Sequence, residues 1–197
     1  MPYGFNGRIL RVDLSAKTID VDERGEDFFR AFMGGSALNL YYLLQEMPSG
    51  VDAFDPANMI AFSVGVATGA PLSGQSRVTV SGKSPLTGAI GDSQAGGFWP
   101  AKLKFAGFDA IIVKGRASTP VYLWVHDGQA EIRDARHLWG MQTGESQKTI
   151  VAELGDKKIE VLQIGPAGEK QVRYASILNM CNRANGRTGM GAVMGSK

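Results

Sequence analysis

Two short runs embed arginine among glycine and small polar residues: Gly74-Gln75-Ser76-Arg77 and Asn182-Arg183-Ala184-Asn185-Gly186-Arg187-Thr188-Gly189. Glycine tolerates positive φ and close backbone approach, so the amides of such loops can converge on an oxyanion while a planar guanidinium forks onto it. Hydrogen bonds to charged groups contribute about 1.5–3 kcal/mol each, so two arginines and a few amides suffice to hold a phosphorylated ligand at micromolar affinity or better. The same residues are equally consistent with two glycine-rich turns carrying solvated arginines.

Other signatures of chemistry fail on spacing. Ser81-Gly82-Lys83-Ser84 has the tail of a phosphate-binding P-loop, but position 77, where its first glycine belongs, is arginine, and Pro85 follows at once. It reads as a turn. Gly189-Met190-Gly191-Ala192-Val193-Met194-Gly195 is one residue too long for a dinucleotide fingerprint and lacks a clear preceding strand. His126 and His137 lie in or beside a hairpin without carboxylate or cysteine partner spacing, which assigns them to surface packing. Cys181, the single cysteine, reads as a small core residue and by itself can hold neither a disulfide nor a metal cluster.

The elements that must position the two arginine runs follow from periodicity. Arg8–Leu14 and Thr18–Val21 alternate across the polar turn Ser15-Ala16-Lys17 and predict a hairpin. Phe28, Phe29, Phe32 and Met33, then Leu40, Leu43, Leu44 and Met47 beyond Gly34-Gly35, follow helical spacing that stops at Pro48. Met59–Val64 and Arg77–Ser81 read as strands, Pro100–Phe105 as a short helix and Ala110–Val113 as a strand. The second half repeats the order: strands Val121–Val125 and Ala130–Arg133 about Asp127-Gly128, a helix over Glu145–Leu154 stopped by Gly155, and a strand over Ile159–Ile164. Gly65-Val66-Ala67 is echoed by Gly165-Pro166-Ala167, and Gln75-Ser76-Arg77-Val78 by Gln171-Val172-Arg173-Tyr174. A duplicated β-β-α-β unit is expected, with pseudo-repeats over about 1–115 and 116–197, in an α+β fold of two sheets with helices.

Length and charge exclude several classes. A chain of 197 residues suits one domain or two small ones. Its most apolar stretch, Met59–Ala70, is too short to span a bilayer and is broken by glycine, and the N-terminus lacks the apolar run of a secretory signal, so no membrane association and a cytoplasmic location are expected. Twenty-one basic against 19 acidic residues give a net charge of +2 spread along the chain, which provides no bulk case for nucleic acid. Glycine is the outlier, 26 residues or about 13% against a usual ~7%, without collagen periodicity.

Five segments in order then carry a resemblance: Gly4-Phe5-Asn6-Gly7-Arg8-Ile9-Leu10-Arg11-Val12-Asp13-Leu14-Ser15; Lys83-Ser84-Pro85-Leu86-Thr87-Gly88; Gly96-Gly97-Phe98 with Leu103-Lys104-Phe105-Ala106-Gly107-Phe108-Asp109-Ala110; Ile164-Gly165-Pro166-Ala167-Gly168-Glu169; and Gly189 through Lys197. Together they resemble the N-terminal domain of the aldehyde ferredoxin oxidoreductases, tungsten or sometimes molybdenum bis-pterin enzymes, over essentially the whole chain. The resemblance implies a saddle-like base of two related β-rich halves on which the paired pterins lie, with the metal held by dithiolene sulfurs and not by protein ligands. It implies a 4Fe-4S cluster and Mg in the full-length enzyme, whose cluster ligands and acid/base residues belong to later domains and not to this chain. The reaction implied is oxidation of an aldehyde with water to a carboxylic acid, with electrons passing to ferredoxin or an electron-transfer subunit; the C-terminal domains of the same enzyme are further partners, and a homo-oligomer fits the family. Residue by residue, Arg77 matches an arginine between one pterin and the cluster, Gln94 and Gly96 match a pterin-contacting Asn-x-Gly step, and Arg183, Ala184 and Gly186 match a second contacting loop. Gln94 stands where asparagine is common, and Thr188 where glycine is expected.

Residues 1–197 are thus expected to form a cofactor-seating N-terminal domain, inactive alone, whose later catalytic and cluster-binding domains are absent from this chain. Two alternatives stand beside this reading: a paralogous enzyme reducing another carbonyl or an acyl thioester, and a non-catalytic binding or assembly module. The pterin-seating face is expected to expose an apolar surface around Phe98 and Trp99.

Overall fold

The computed structural model describes residues 2–197. The predicted first hairpin is present as β1 (Arg8–Asp13) and β2 (Thr18–Glu23), paired in antiparallel register from Arg8 opposite Glu23 to Asp13 opposite Thr18. The aromatic run forms α1 (Glu26–Phe32), and α2 (Gly35–Glu46) starts where Gly34, at φ +85°, turns the chain. A Cβ on Gly34 would fall 2.1 Å from the Val64 carbonyl oxygen, so this turn requires glycine. There follow β3 (Ile60–Val64), β4 (Val78–Lys83), β5 (Ile90–Ala95), α3 (Trp99–Phe105) and β6 (Ala110–Lys114). They form one six-stranded sheet in the order β2-β1-β6-β3-β4-β5, with β6 parallel to β1 and antiparallel to β3.

The second half contains the hairpin β7 (Val121–His126) and β8 (Gln129–Asp134), α4 (Thr143–Leu154), β9 (Leu162–Gln163), α5 (Pro166–Glu169), β10 (Ile177–Asn179), β11 (Arg183–Asn185) and α6 (Met190–Gly195). Here β9, β10 and β11 form a three-stranded antiparallel sheet, and β7–β8 stands apart from it. The mixed α+β class with several sheets is as expected.

Alternation along the strands makes the layers. Ile9, Ala61, Ala110 and Ile112 pack beneath Leu38, Tyr42 and Leu43 of α2. Leu10, Val12, Phe62, Ile111 and Val113, on the other face of the same sheet, share a core with Ile177, Met190 and Val193, against which Leu123 and Val125 of β7 pack. Tyr122, from the opposite face of β7, packs with Ile159 and Val161 on the cluster around Ile150 of α4. The order is therefore helix, sheet, sheet, helix.

One buried ion pair fastens the N-terminal segment to this frame. Lys104 Nζ donates to Asp109 Oδ1 at 2.6 Å and to the Gly4 carbonyl at 2.9 Å, while Asp109 Oδ2 accepts the Asn6 and Gly7 amides at 2.8 Å each. Both side chains are essentially inaccessible.

Several expectations need correction. Ser81–Lys83 continue β4; the turn begins only at Ser84, whose Oγ accepts the Leu86 and Thr87 amides and donates to the Thr188 carbonyl at 2.8 Å. The strand expected over Ile159–Ile164 is reduced to Leu162–Gln163, where β10 supplies a partner. The glycines of Gly189–Gly195 cap and build α6: Cβ atoms on Gly189, Gly191 and Gly195 would lie 1.9, 2.5 and 2.0 Å from the carbonyl oxygens of Arg173, Ser176 and Gly168. Their role is close packing of backbone on backbone. Cys181 is half-buried in the β10–β11 turn at φ +54°, next to Met180 at φ +53°. Phe98 is exposed as expected, but Trp99 is half-buried against the core. Among the described residues no helix is long and apolar enough to cross a membrane.

Candidate functional site

The two arginine runs reach the same place by different routes. Arg77 immediately precedes β4, which pairs with β5 so that Thr79 lies opposite Gln94 and Val78 opposite Ala95. In the second half β10 and β11 place Asn179 opposite Arg183 and Leu178 opposite Ala184. Two buried asparagines join these units. Asn185 Nδ2 donates to the carbonyls of Ser93 at 2.8 Å and Val78 at 3.5 Å, and Asn179 Nδ2 donates to the Gly96 carbonyl at 3.0 Å. Gly97, at φ +110°, leaves the space that Asn179 fills, since a Cβ there would fall 2.1 Å from Asn179 Oδ1 and 3.2 Å from Arg183 Cγ.

The result is a concavity of about 490 Å³ lined by Asp92, Ser93, Gln94, Ala184, Gly186 and Arg187. Small-molecule sites span roughly 300–1,000 Å³. Three residues expected at the site, Gln94, Ala184 and Gly186, thus share one hollow although about 90 positions separate them in the chain. Gly96 and Arg183 are outside its lining and are linked through Gly97 and Asn179. Arg77 is outside the lining, just before β4, the strand next to β5, and beside Ser76, whose Oγ donates to the Gly97 carbonyl at 2.6 Å.

Arg187 belongs to the second arginine run but is not among the residues the resemblance marks; its amide donates to Ser93 Oγ at 3.1 Å, and it lines the hollow. Asp92 and Ser93 carried no sequence signal and lie here because β5 does. Arg77, Arg183 and Arg187 are exposed, and among the described residues none has a carboxylate within ion-pair distance. Unpaired guanidinium groups around a polar hollow suit an anionic ligand; Asp92 is the one negative charge in the lining.

The glycines of the hollow differ from those of the frame. A Cβ on Gly186 would meet nothing closer than Ala184 Cβ at 3.8 Å, and one on Gly96 nothing closer than the Ser76 carbonyl at 3.7 Å. Neither has a positive φ. The fold therefore tolerates a side chain at either position, and at Gly186 that side chain would occupy the hollow. Among the described residues no three His, Cys, Asp or Glu side chains converge to hold a metal. His126 and His137 instead pair with hairpin and α4 carboxylates, His137 Nε2 lying 3.0 Å from Glu153.

The sequence profile described as aldehyde ferredoxin oxidoreductase, N-terminal domain, matches residues 9–197. The chain belongs to the aldehyde ferredoxin oxidoreductase family. It is 46% identical over 195 residues to a protein of Pyrococcus abyssi named tungsten-containing aldehyde ferredoxin oxidoreductase, covering 99% of this chain and 32% of that protein. A Pyrococcus furiosus protein named aliphatic sulfonate oxidoreductase, WOR-like subunit, is 34% identical over 213 aligned positions, 99% of this chain and 33% of its own. Among solved structures, the active-site complex BamBC of benzoyl coenzyme A reductase with 1,5-dienoyl-CoA superimposes with a TM-score of 0.96 at 38% identity, covering all of this chain and 30% of that one. The chain thus spans about a third of the length of these relatives.

Proposed function

We propose that this chain seats a tungsten or molybdenum bis-pterin cofactor in an oxidoreductase that converts aldehydes to carboxylic acids. The observation that carries the reading is the shared hollow between β5 and β11, where Gln94, Ala184 and Gly186 meet beside unpaired arginines. The residues suit the group: glycine and alanine leave a floor that a side chain would fill, and guanidinium groups match pterin phosphates. When bound, the group supplies two-electron metal chemistry with its own sulfur ligands, so the protein's share is position and electrostatics. In this assignment Arg183 and Arg187 hold anionic oxygens, Gln94 orients the ligand by hydrogen bonding, and Gly96, Ala184 and Gly186 let backbone approach it. Arg77 stands one strand away, as a fixed positive charge for a neighbouring redox centre would.

The 4Fe-4S cluster, Mg, the ferredoxin or other electron-transfer partner, and a cytoplasmic setting in an anaerobe belong to the same proposal for the whole protein. So does the assignment of residues 1–197 as two pseudo-repeats preceding the catalytic and cluster-binding domains. A second reading, reduction of an acyl-thioester substrate whose thioester stays intact, is favoured by the likeness to benzoyl coenzyme A reductase in complex with 1,5-dienoyl-CoA.

The test is metal analysis of the full-length protein with viologen-linked assays on aldehydes and on CoA thioesters. Bound tungsten or molybdenum, depleted in Arg183→Ala and Arg187→Ala proteins, is expected together with aldehyde-dependent dye reduction. Turnover of thioesters alone would select the second reading, and absence of metal from freshly prepared anoxic protein would refute both.

A further inference from the structure

The segment Lys83–Gly88 lines no part of the hollow, yet its Ser84 is bonded to the loop that does. Ser84 is fully buried and uses its whole hydrogen-bonding capacity. Its Oγ accepts the Leu86 and Thr87 amides at 3.2 and 3.3 Å, and its hydroxyl donates to the Thr188 carbonyl at 2.8 Å across 104 positions of sequence. Thr188 follows Arg187 and has a φ of +60°. A β-branched residue is an outlier there, because its Cβ crowds the backbone, and such a conformation persists only where the surroundings over-determine it.

Those surroundings come from the first half of the chain. Ahead of Thr188, the Arg187 amide donates to Oγ of Ser93, a buried residue of β5, at 3.1 Å. Beside it, Gly91 leaves room for the threonine side chain, since a Cβ at Gly91 would fall 2.7 Å from Thr188 Cβ. Behind it, Ser84 holds the carbonyl, and Pro85 closes on Gly189, where a Cβ would lie 3.0 Å from Pro85 Cγ. Thr188 Oγ1 adds a local bond to the Arg187 carbonyl at 2.7 Å.

We propose that Ser84 is a positioning residue for Arg187, acting through Thr188. By fixing the Thr188 carbonyl it keeps Thr188 left-handed, and this bend keeps Arg187 in the lining of the hollow. Relaxation of Thr188 to a negative φ would swing the chain on one side of it relative to the other and break one of the two serine contacts. A ligand would then have to order Arg187 as it binds, a cost in affinity that a preformed loop avoids. The identity of that ligand rests on the cofactor reading above; the grip of the two serines on residues 187 and 188 does not.

Two readouts on the full-length protein test the proposal: hydrogen exchange in peptides spanning Arg187, and metal content. Ser84→Ala is expected to accelerate exchange at the Arg187 amide by about tenfold or more and to reduce metal occupancy, while β4 and β5 stay slow. Adding Thr188→Gly is expected to restore both, because glycine holds a φ of +60° without help. A role for Ser84 confined to its own turn, through Leu86 and Thr87, would not be rescued from position 188. Unchanged exchange at Arg187, failure of the glycine to rescue, or full metal content beside fast exchange would each overturn the proposal. Where Ser84→Ala also loses protection in β4, the comparison moves to Thr188→Asn and Thr188→Val, which both lack the hydroxyl. Asparagine tolerates the left-handed region and valine does not, so slow exchange in the first with fast exchange in the second supports the proposal, and equal rates overturn it. Unsubstituted protein that carries no metal would refute the cofactor reading, and the exchange rates alone would then decide whether Ser84 holds Arg187.

Discussion

The side-chain amide of Asn185 donates to the Ser93 carbonyl at 2.8 Å across 92 positions of sequence, and through this contact β11 is held against β5. Asn185 is fully buried, and its Oδ1 has no partner, so the side chain acts as a donor only. Asn185→Ala is expected to lower stability by about 1–3 kcal/mol, the cost of leaving a buried carbonyl unpaired. Asn185→Asp should cost more, because it sets a carboxylate against the Ser93 and Val78 carbonyls. Urea denaturation of the two proteins orders them, and a harmless Asp substitution would show that the contact does not join the strands.

Gly186, in the lining of the hollow, and Gly97, against Asn179 and Arg183, should respond in opposite ways. Gly97→Ala imposes a left-handed φ of +110° on a Cβ that meets Asn179 Oδ1, and is expected to cost at least about 1–3 kcal/mol. Gly186→Val meets open space and should leave stability within about 0.5 kcal/mol, while the full-length protein carrying it loses its metal. Thermal denaturation paired with metal analysis separates the two effects.

Arg77 makes no side-chain hydrogen bond among the described residues and is exposed, so Arg77→Ala should leave the fold intact within about 0.5 kcal/mol. In the full-length protein it is expected to reduce metal occupancy and to lower the potential of the neighbouring redox centre, because a fixed positive charge favours added electrons. Arg116, in the turn after β6, cannot serve as the comparison, because its Nε donates to the Ser196 carbonyl at 2.9 Å and its Nη2 to the Phe54 carbonyl. Arg30, in an exposed i,i+4 pair with Glu26 on α1, is the better comparison. Equal metal content and potential in Arg77→Ala and Arg30→Ala proteins would remove Arg77 from the site.

Lys104→Met should be among the most damaging single changes in the chain. It strands the buried Asp109 carboxylate with only backbone donors, at an expected cost of about 3–5 kcal/mol. Adding Asp109→Asn should recover part of that loss, so the double substitution costs less than the sum of the singles. Chemical denaturation of the three proteins measures the coupling.

Much of the local architecture was legible in the sequence because it depends on neighbours in the chain. Alternation in Arg8–Leu14 and Thr18–Val21, and helical spacing interrupted at Gly34-Gly35 and halted at Pro48, each point to one local conformation, and the strands Arg8–Asp13 and Thr18–Glu23 and the helix Gly35–Glu46 are found there. The family motifs likewise pointed to residues on both walls of the hollow, Gln94 on one and Ala184 with Gly186 on the other, while Gly96 and Arg183 lie outside its lining.

What only the tertiary structure decided is which segments meet. The six residues Ile159–Ile164 have strand character throughout, yet only Leu162 and Gln163 are laddered, because a strand exists where a partner supplies its hydrogen bonds. The glycines of α6, whose spacing is one residue too long for a dinucleotide fingerprint, admit the carbonyls of Arg173, Ser176 and Gly168. Asp92 and Ser93 enter the hollow with no signal of their own, carried there by the register of β5 against β4 and the grip of Asn185 on β5. Periodicity is a property of a few adjacent residues, whereas a binding hollow is made by pairing across about 90 positions, and the energy of that pairing depends on side chains that no local window contains.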